Sequence, residues 1–326
     1  MRRLLPAALA VLLIAAPAAA STTTSSTTTT TTPPGPFAPL TGRPDPTRIT
    51  AHRPAVTVKI DNTPEAHPQY GLRQADVVYE EIVEGGITRL AAVFNSAAPA
   101  RVGPVRSVRR TDREIVTAIG GIFVFSGGAA YAIKSIETAP VKLFDESNAG
   151  TMMFRSSNRP PPHNLFANVS RLIHQGGRPR PPHPLFAYGP GPGVKLRAAR
   201  AFSVDFPSGY AVSYAWDQRT ASWDRSIFGA PDRDATGRRV SPANVVVMWV
   251  HYLGGVGVEG AEAVLAGRGT AEVFTRHGAV MATWTRSALT RPVRYRSRAT
   301  GATIRLAPGQ TWVELAAVGE AVPVTP

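Results

Sequence analysis

The alternation of apolar and polar positions changes period several times along the chain. PAVTVKID (54–61), ADVVYEEIVE (75–84) and ITRLAAVFN (87–95) each read as a β-strand. Gly85 and Gly86 between the last two signal a hairpin turn. Strand alternation puts Tyr79, Glu81 and Val83 on one side and Glu80, Ile82 and Glu84 on the other. Over PVRSVRRTDREIVTAIG (104–120) the period becomes helical, with Thr111 and Glu114 at capping-box spacing. GIFVFSGG (121–128) is continuously apolar and predicts a short buried strand; AAYAIKSI (129–136) predicts a helix. NLFANVSRLIHQ (164–175) predicts another, with Leu165, Val169 and Leu172 inward and Asn164 as N-cap.

From about residue 200 the pattern is one of short strands, among them AVSYAWD, NVVVMWVHY, GTAEVFTRHG, AVMATWTRS and TWVELAAV, separated by Gly, Asp and Pro turns. This predicts a compact mixed-β or barrel-like second half. The fold class is therefore α+β. A mixed-sheet N-terminal domain with flanking helices occupies 46–176, a Pro/Gly-rich linker 177–198, and a smaller β-rich C-terminal domain 199–326.

The N-terminus changes the picture of where this chain works. MRRLLPAALAVLLIAAPAAA (1–20) has a basic start, an apolar stretch and a small-x-small site at Ala18 and Ala20, the layout of a secretory signal. A retained anchor helix is the alternative. Residues 21–45, rich in Thr, Ser and Pro, read as a spacer. Cysteine is absent, which removes thiolate nucleophiles, iron–sulfur clusters, cysteine-bound zinc and diacylglyceryl anchoring. The expected location is extracytoplasmic, secreted or envelope-associated, with membrane contact only through an uncleaved signal.

The formal charge of +14 predicts anionic partners such as an envelope glycan or a phosphorylated polymer. It also matches the arginine preference of a GC-rich, actinobacterial-like coding composition. The arginines are spread without interleaved aromatics, so nucleic acid is not expected.

Four polar clusters stand at element ends. In KIDN (59–62), Asp61 and Asn62 close a strand, either as a solvent-facing turn or as hydrogen bonders to a polar ligand. In YEEIVEGGITR (79–89), Glu80 and Glu84 would lie about 13 Å apart on one strand face, beyond the roughly 5–9 Å of a glycosidase pair. Arg89 can return opposite Glu84 as a cross-strand ion pair. In GPVRSVRR (103–110), Arg106 and Arg109 precede a helix, where the dipole disfavours cations and a bound anion would compensate. Internal pairing with Glu80, Glu81, Glu84 or Asp112 is the alternative.

In PPHNLF, His163 is the best acid–base candidate, with Asn164 beside it. PPHPLFA (181–187) echoes PPHNLFA (161–167) at an offset of twenty, but without the asparagine. The flanks differ, which argues against a structural repeat. No metal-ligand spacing occurs, and no cofactor is expected.

The stretch PAVTVKIDNTPEAHPQYGLRQADVVYEEIVEGGITRLAAVFN, followed by GPVRSVRR and PHNLF, resembles the YerB-like family (DUF3048) of bacterial exported proteins and lipoproteins. APGQTWVEL extends the likeness into the second half. The resemblance implies a two-domain architecture and an extracytoplasmic location, and brings no established activity. Its pattern includes Asp61, Asn62, Glu80, Glu84, Arg89, Arg106, Arg109, His163 and Asn164. The family's frequent lipidated cysteine is missing.

Three functions compete. A module binding an anionic envelope ligand would use Arg106, Arg109, Arg89, Asp61, Asn62 and Asn164. A hydrolase or lyase on envelope polysaccharide would use His163 with Glu84 or Glu80 as second acid or base. A scaffold for an envelope protein complex would use the same clusters to hold its fold.

Overall fold

The computed structural model describes residues 36–177 and 179–326. Residues 1–35, which hold the expected signal segment and most of the expected spacer, lie outside the described residues. The first half contributes β1 (Val56–Asp61), β2 (Val77–Ile82), β3 (Thr88–Phe94), α1 (Arg110–Ile119), β4 (Ile122–Val124), α2 (Ala130–Ile136), β5 (Lys142–Phe144), β6 (Met153–Arg155), β7 (Leu165–Ala167) and α3 (Val169–Gln175). The second half adds β8 (Arg197–Ala198), β9 (Ala201–Val204), β10 (Val212–Asp217), β11 (Ser222–Ile227), β12 (Ala230–Pro231) and β13 (Asn244–Val250). It ends with β14 (Tyr252–Leu253), β15 (Glu262–Ala263), β16 (Gly267–Thr275), β17 (Gly278–Arg286), β18 (Arg294–Ser297), β19 (Thr311–Ala317) and β20 (Val324–Thr325).

This is an N-terminal mixed α+β domain with flanking helices, followed by a smaller, more β-rich C-terminal domain. The two share one sheet, ordered β18-β17-β16-β13-β19-β2-β3-β1-β4-β5, with β8 on β17. They meet where β19 pairs parallel with β2, Glu314 opposite Glu80. The second half is thus an open extension of the sheet rather than a barrel. Of its remaining strands, β14 pairs with β15, and five form a second sheet, β12-β11-β10-β9-β20, laid across one face. There Phe202 stacks on Tyr214 and on Phe274 of β16, and Trp223 meets Phe202 and Phe274 edge to face. Helix α1 covers the other face.

The apolar pattern explains the layering. Strands β1 and β3 are buried along their whole length, as expected of central strands covered on both sides. β4 enters parallel to β1 through Gly121, at φ +79; a Cβ there would lie 2.2 Å from the Ala55 carbonyl oxygen, so only glycine fits.

Three local expectations are corrected. The segment 164–175 is not one helix. Leu165–Ala167 pairs with β6 as a strand, and both Val102 and Val105 bond its backbone. The helix starts only at Val169, capped by Asn168, whose Oδ1 accepts from Arg171 N at 2.9 Å. In α1 the reciprocal cap is Asp112 Oδ2 accepting from Arg109 N at 2.7 Å. Thr111 and Glu114 instead accept backbone N–H bonds from Ala263 and Leu265, tying α1 to the second half. Finally, residues assigned by composition to the two linkers are packed: Leu40, Leu185 and Phe186 are buried in the core.

Candidate functional site

The site grows from the ends of β1, β2 and β3. Asp61 lies opposite Arg89, and Arg89 opposite Glu81, so these residues share the α1 face with Lys59, two positions before Asp61. Lys59 Nζ donates to Glu81 and, at 2.8 Å, to Asp112 Oδ1. All three are fully buried. Burial pushes the Glu81 carboxyl up, against the pull of Lys59. This inner group is closed to solvent and holds α1 to the sheet.

Outside it lies a second, more open group. Asp61 is fully buried, and its Oδ2 lies 2.8 Å from His163 Nδ1 and 3.0 Å from Arg106 Nε. Glu84 is clasped by Arg109, whose Nε donates to Oε2 at 2.6 Å and whose Nη2 contacts Oε1. Arg89 Nη2 reaches the same oxygen at 3.3 Å. Arg89 Nη1 donates to the Ser107 carbonyl at 3.0 Å, and Arg109 Nη1 to that of Val108 at 2.9 Å. The backbone before α1 thus anchors two of the three arginines.

Burial alone would raise the Glu84 carboxyl, but the Arg109 hydrogen bonds and both guanidinium charges outweigh it and hold it at about 2. Burial, then the Arg109 charge, lowers Arg89 to about 10. The outer group sets three guanidiniums against two carboxylates. Arg106 is the least committed. Its side chain is 23% exposed. Its Nε–H does not point at Asp61, and its terminal nitrogens make no hydrogen bond among the described residues.

The structure brings Asp61, Glu84, Arg89, Arg106, Arg109 and His163 together and separates the other three candidates from them. β2 ends at Ile82, and the turn through Gly85, at φ +73, carries Glu84 to the arginine side. Glu80 stays on the opposite face, fully buried. It accepts from Asn62 Nδ2 at 3.0 Å, Thr88 Oγ1 at 2.6 Å and Arg225 Nη2 at 2.6 Å. Asn62 therefore belongs to that network and not to the open group. Asn164 is buried, and its Oδ1 accepts from Arg155 Nη1 at 2.6 Å in the β6–β7 hairpin. It braces the turn that presents His163. His183, in the echo heptad, is exposed, while Leu185 and Phe186 enter the core.

Sequence reasoning missed the partner of Glu80. Arg225 lies 145 residues away, and only the packing of β11 over β2 joins them. Arg225 also pairs with Asp232. Glu314 stands across the β2–β19 pairing and accepts from Tyr214. Burial, then the Glu80 charge, pushes its carboxyl well above the usual range. Three carboxylates facing one arginine is workable because one of them stays neutral. Among the described residues no three His, Asp or Glu side chains converge as metal ligands.

The domain described as "Protein of unknown function (DUF3048) N-terminal domain" matches residues 40–178, and the corresponding C-terminal domain matches residues 202–313. The chain belongs to the DUF3048 family. A family relative, described as the putative lipoprotein YerB of Bacillus subtilis (strain 168), is 28% identical over 289 residues, covering 85% of each chain. The crystal structure of YerB from Bacillus subtilis has a TM-score of 0.77 at 24% identity and covers 89% of this chain and 100% of that one. At that identity the likeness establishes the DUF3048 fold alone. The shared sheet explains why both family domains occur in one chain: β19 of the second completes the sheet beside β2 of the first.

Proposed function

We propose that this protein is an extracytoplasmic binder of an anionic envelope ligand, a glycan or phosphorylated polymer, received by Arg106 with His163 beside it. The observation that carries this reading is the open fork of Arg106, half-buried beside Asp61 and without acceptors for its terminal nitrogens among the described residues. A guanidinium in that state is set to bind phosphate or carboxylate bidentately. Arg89 and Arg109, although spent on Glu84, leave the group with one net positive charge. Asp61 holds one imidazole nitrogen of His163 at 2.8 Å, which leaves the other for the ligand.

The test is co-sedimentation of the full chain with purified peptidoglycan and with polyol-phosphate polymer at low and high salt. Salt-sensitive retention that Arg106→Ala abolishes supports the reading. Equal retention of both proteins refutes it.

One observation favours a second reading, hydrolysis of an envelope polymer. A buried carboxylate holding a partly exposed histidine by Nδ1 is the arrangement that orients a general base. Glu84, ionised down to about pH 2, cannot serve as the general acid at neutral pH, and Glu80 is enclosed on the other face. His163 would have to act alone with Asp61 as its positioning residue. Polymer turnover that His163→Ala removes while binding persists would favour this reading over simple binding.

A further inference from the structure

A cavity of about 900 Å³ opens where the two family domains meet, away from Arg106. Arg43 and Arg73 reach it from the first half; Arg219, Arg238 and Arg239 reach it from the second. The carboxylates in its wall are already engaged. Asp76 accepts from the backbone N–H groups of Asn95 and Ser96 at 2.6 and 2.7 Å. Asp217 Oδ1 accepts from Arg219 N at 2.9 Å and lies 3.5 Å from its Nε. Asp224 Oδ1 accepts from Ser241 Oγ at 2.6 Å.

Five arginines face these three aspartates in the wall, an excess of two positive charges. Arg219 pairs with Asp217. Arg73 donates to the Arg239 carbonyl at 3.0 Å, and Arg239 to Ser226 Oγ at 2.9 Å, both neutral acceptors. Among the described residues, Arg43, Arg73, Arg238 and Arg239 form no ion pair. The excess guanidinium charge around one cavity favours an anion between the arginines. A volume near the top of the roughly 300–1,000 Å³ range of small-ligand sites leaves room for more than one anionic group.

We propose that this seam cavity is a receptor for a multivalent oxyanion, an oligomer carrying repeated phosphate or carboxylate groups. It is separate from the Arg106 group and does not depend on it. Arginine forks recognise both oxyanions, so two probes distinguish the sources: tripolyphosphate and a uronic-acid trimer.

The experiment is calorimetric titration of the full chain with each probe. The proteins are wild type, the double variant Arg43→Ala/Arg238→Ala and Arg106→Ala. Both substituted residues of the double variant are exposed, and an unchanged thermal melt verifies its fold. The expected result is a seam-site binding event for at least one probe, weakened tenfold or more in the double variant and retained in Arg106→Ala, which loses only the separate contribution of the Arg106 group. Whichever probe binds names the group recognised. No binding of either probe to the wild type overturns the proposal. So does equal binding by the double variant, or loss of binding confined to Arg106→Ala.

Discussion

Glu80 and Glu81, adjacent in β2, are both fully buried and serve opposite faces of one sheet. Glu81 meets Lys59 under α1; Glu80 meets Arg225 under the five-stranded sheet. Each layer of the protein is therefore fixed to the central sheet by a buried charge. Removing one partner of a buried pair costs about 3–5 kcal/mol where it leaves the other charge unpaired; Arg225 keeps Asp232, so the loss at Glu80 falls at or below the low end of that range. Glu80→Ala should lower stability by that order, read from the urea midpoint. An unchanged midpoint would mean that Asp232 alone satisfies Arg225.

Glu314 should behave in the opposite way. Burial and the Glu80 charge push its carboxyl well above the usual range, which favours the neutral acid, and glutamine keeps an acceptor for Tyr214 without adding charge. Glu314→Gln should keep stability within about 1 kcal/mol, whereas Glu314→Ala leaves the Tyr214 hydroxyl unpaired and costs about 1–3 kcal/mol. Denaturant melts of the two variants separate these outcomes; equal losses would indicate that Glu314 is ionised.

Glu84 gives the acid limb of the stability profile its shape. Its folded value of about 2 lies below its ordinary value of 4.5. Its contribution is therefore complete above about pH 5 and is lost as pH falls toward 2. Glu84→Gln should be less stable than wild type at pH 7, with the gap narrowing toward pH 2. Parallel melting curves for the two proteins from pH 7 to pH 2 would contradict this.

Glu320 works with the reverse sign. Burial raises it to about 7, although it accepts from Ala317 N at 3.0 Å. A raised carboxyl costs stability as pH rises from about 4.5 to 7. Glu320→Gln keeps the acceptor and removes the charge, so it should raise the melting temperature at pH 8 and leave it unchanged at pH 4. A melting temperature unchanged at both values would show that Glu320 ionises without cost.

β1 to β4, α1 and α2 were legible because each has one period and clear punctuation, whereas the three-residue strands β5, β6 and β7 are too short to show one. The hairpin at Gly85 and Gly86 and the apolar run of β4 are local signals. Where a segment's backbone is claimed by distant partners, local pattern misleads. Leu165–Ala167 shares helical spacing with α3, yet Val102, Val105 and β6 take its backbone bonds. The site was legible as a set of residues but not as an arrangement. Alternation placed Glu84 with Glu80, and only the turn at Gly85 moves it to Arg109. The pairing of Asp61 with His163, 102 residues apart, had no local signal.

The central claim is that Arg106 receives an anion, and a small probe with a single phosphate group tests it most directly, in the Arg43→Ala/Arg238→Ala background so that the seam cavity does not contribute. The measurement is the affinity of the full chain for glycerol 3-phosphate, with and without Arg106→Ala in that background, at low ionic strength. A charge-assisted bidentate contact is worth about 1.5–3 kcal/mol, so the variant should bind roughly ten- to a hundredfold more weakly while melting as the wild type does. Equal affinity in the two proteins, or no binding by either, would contradict the account.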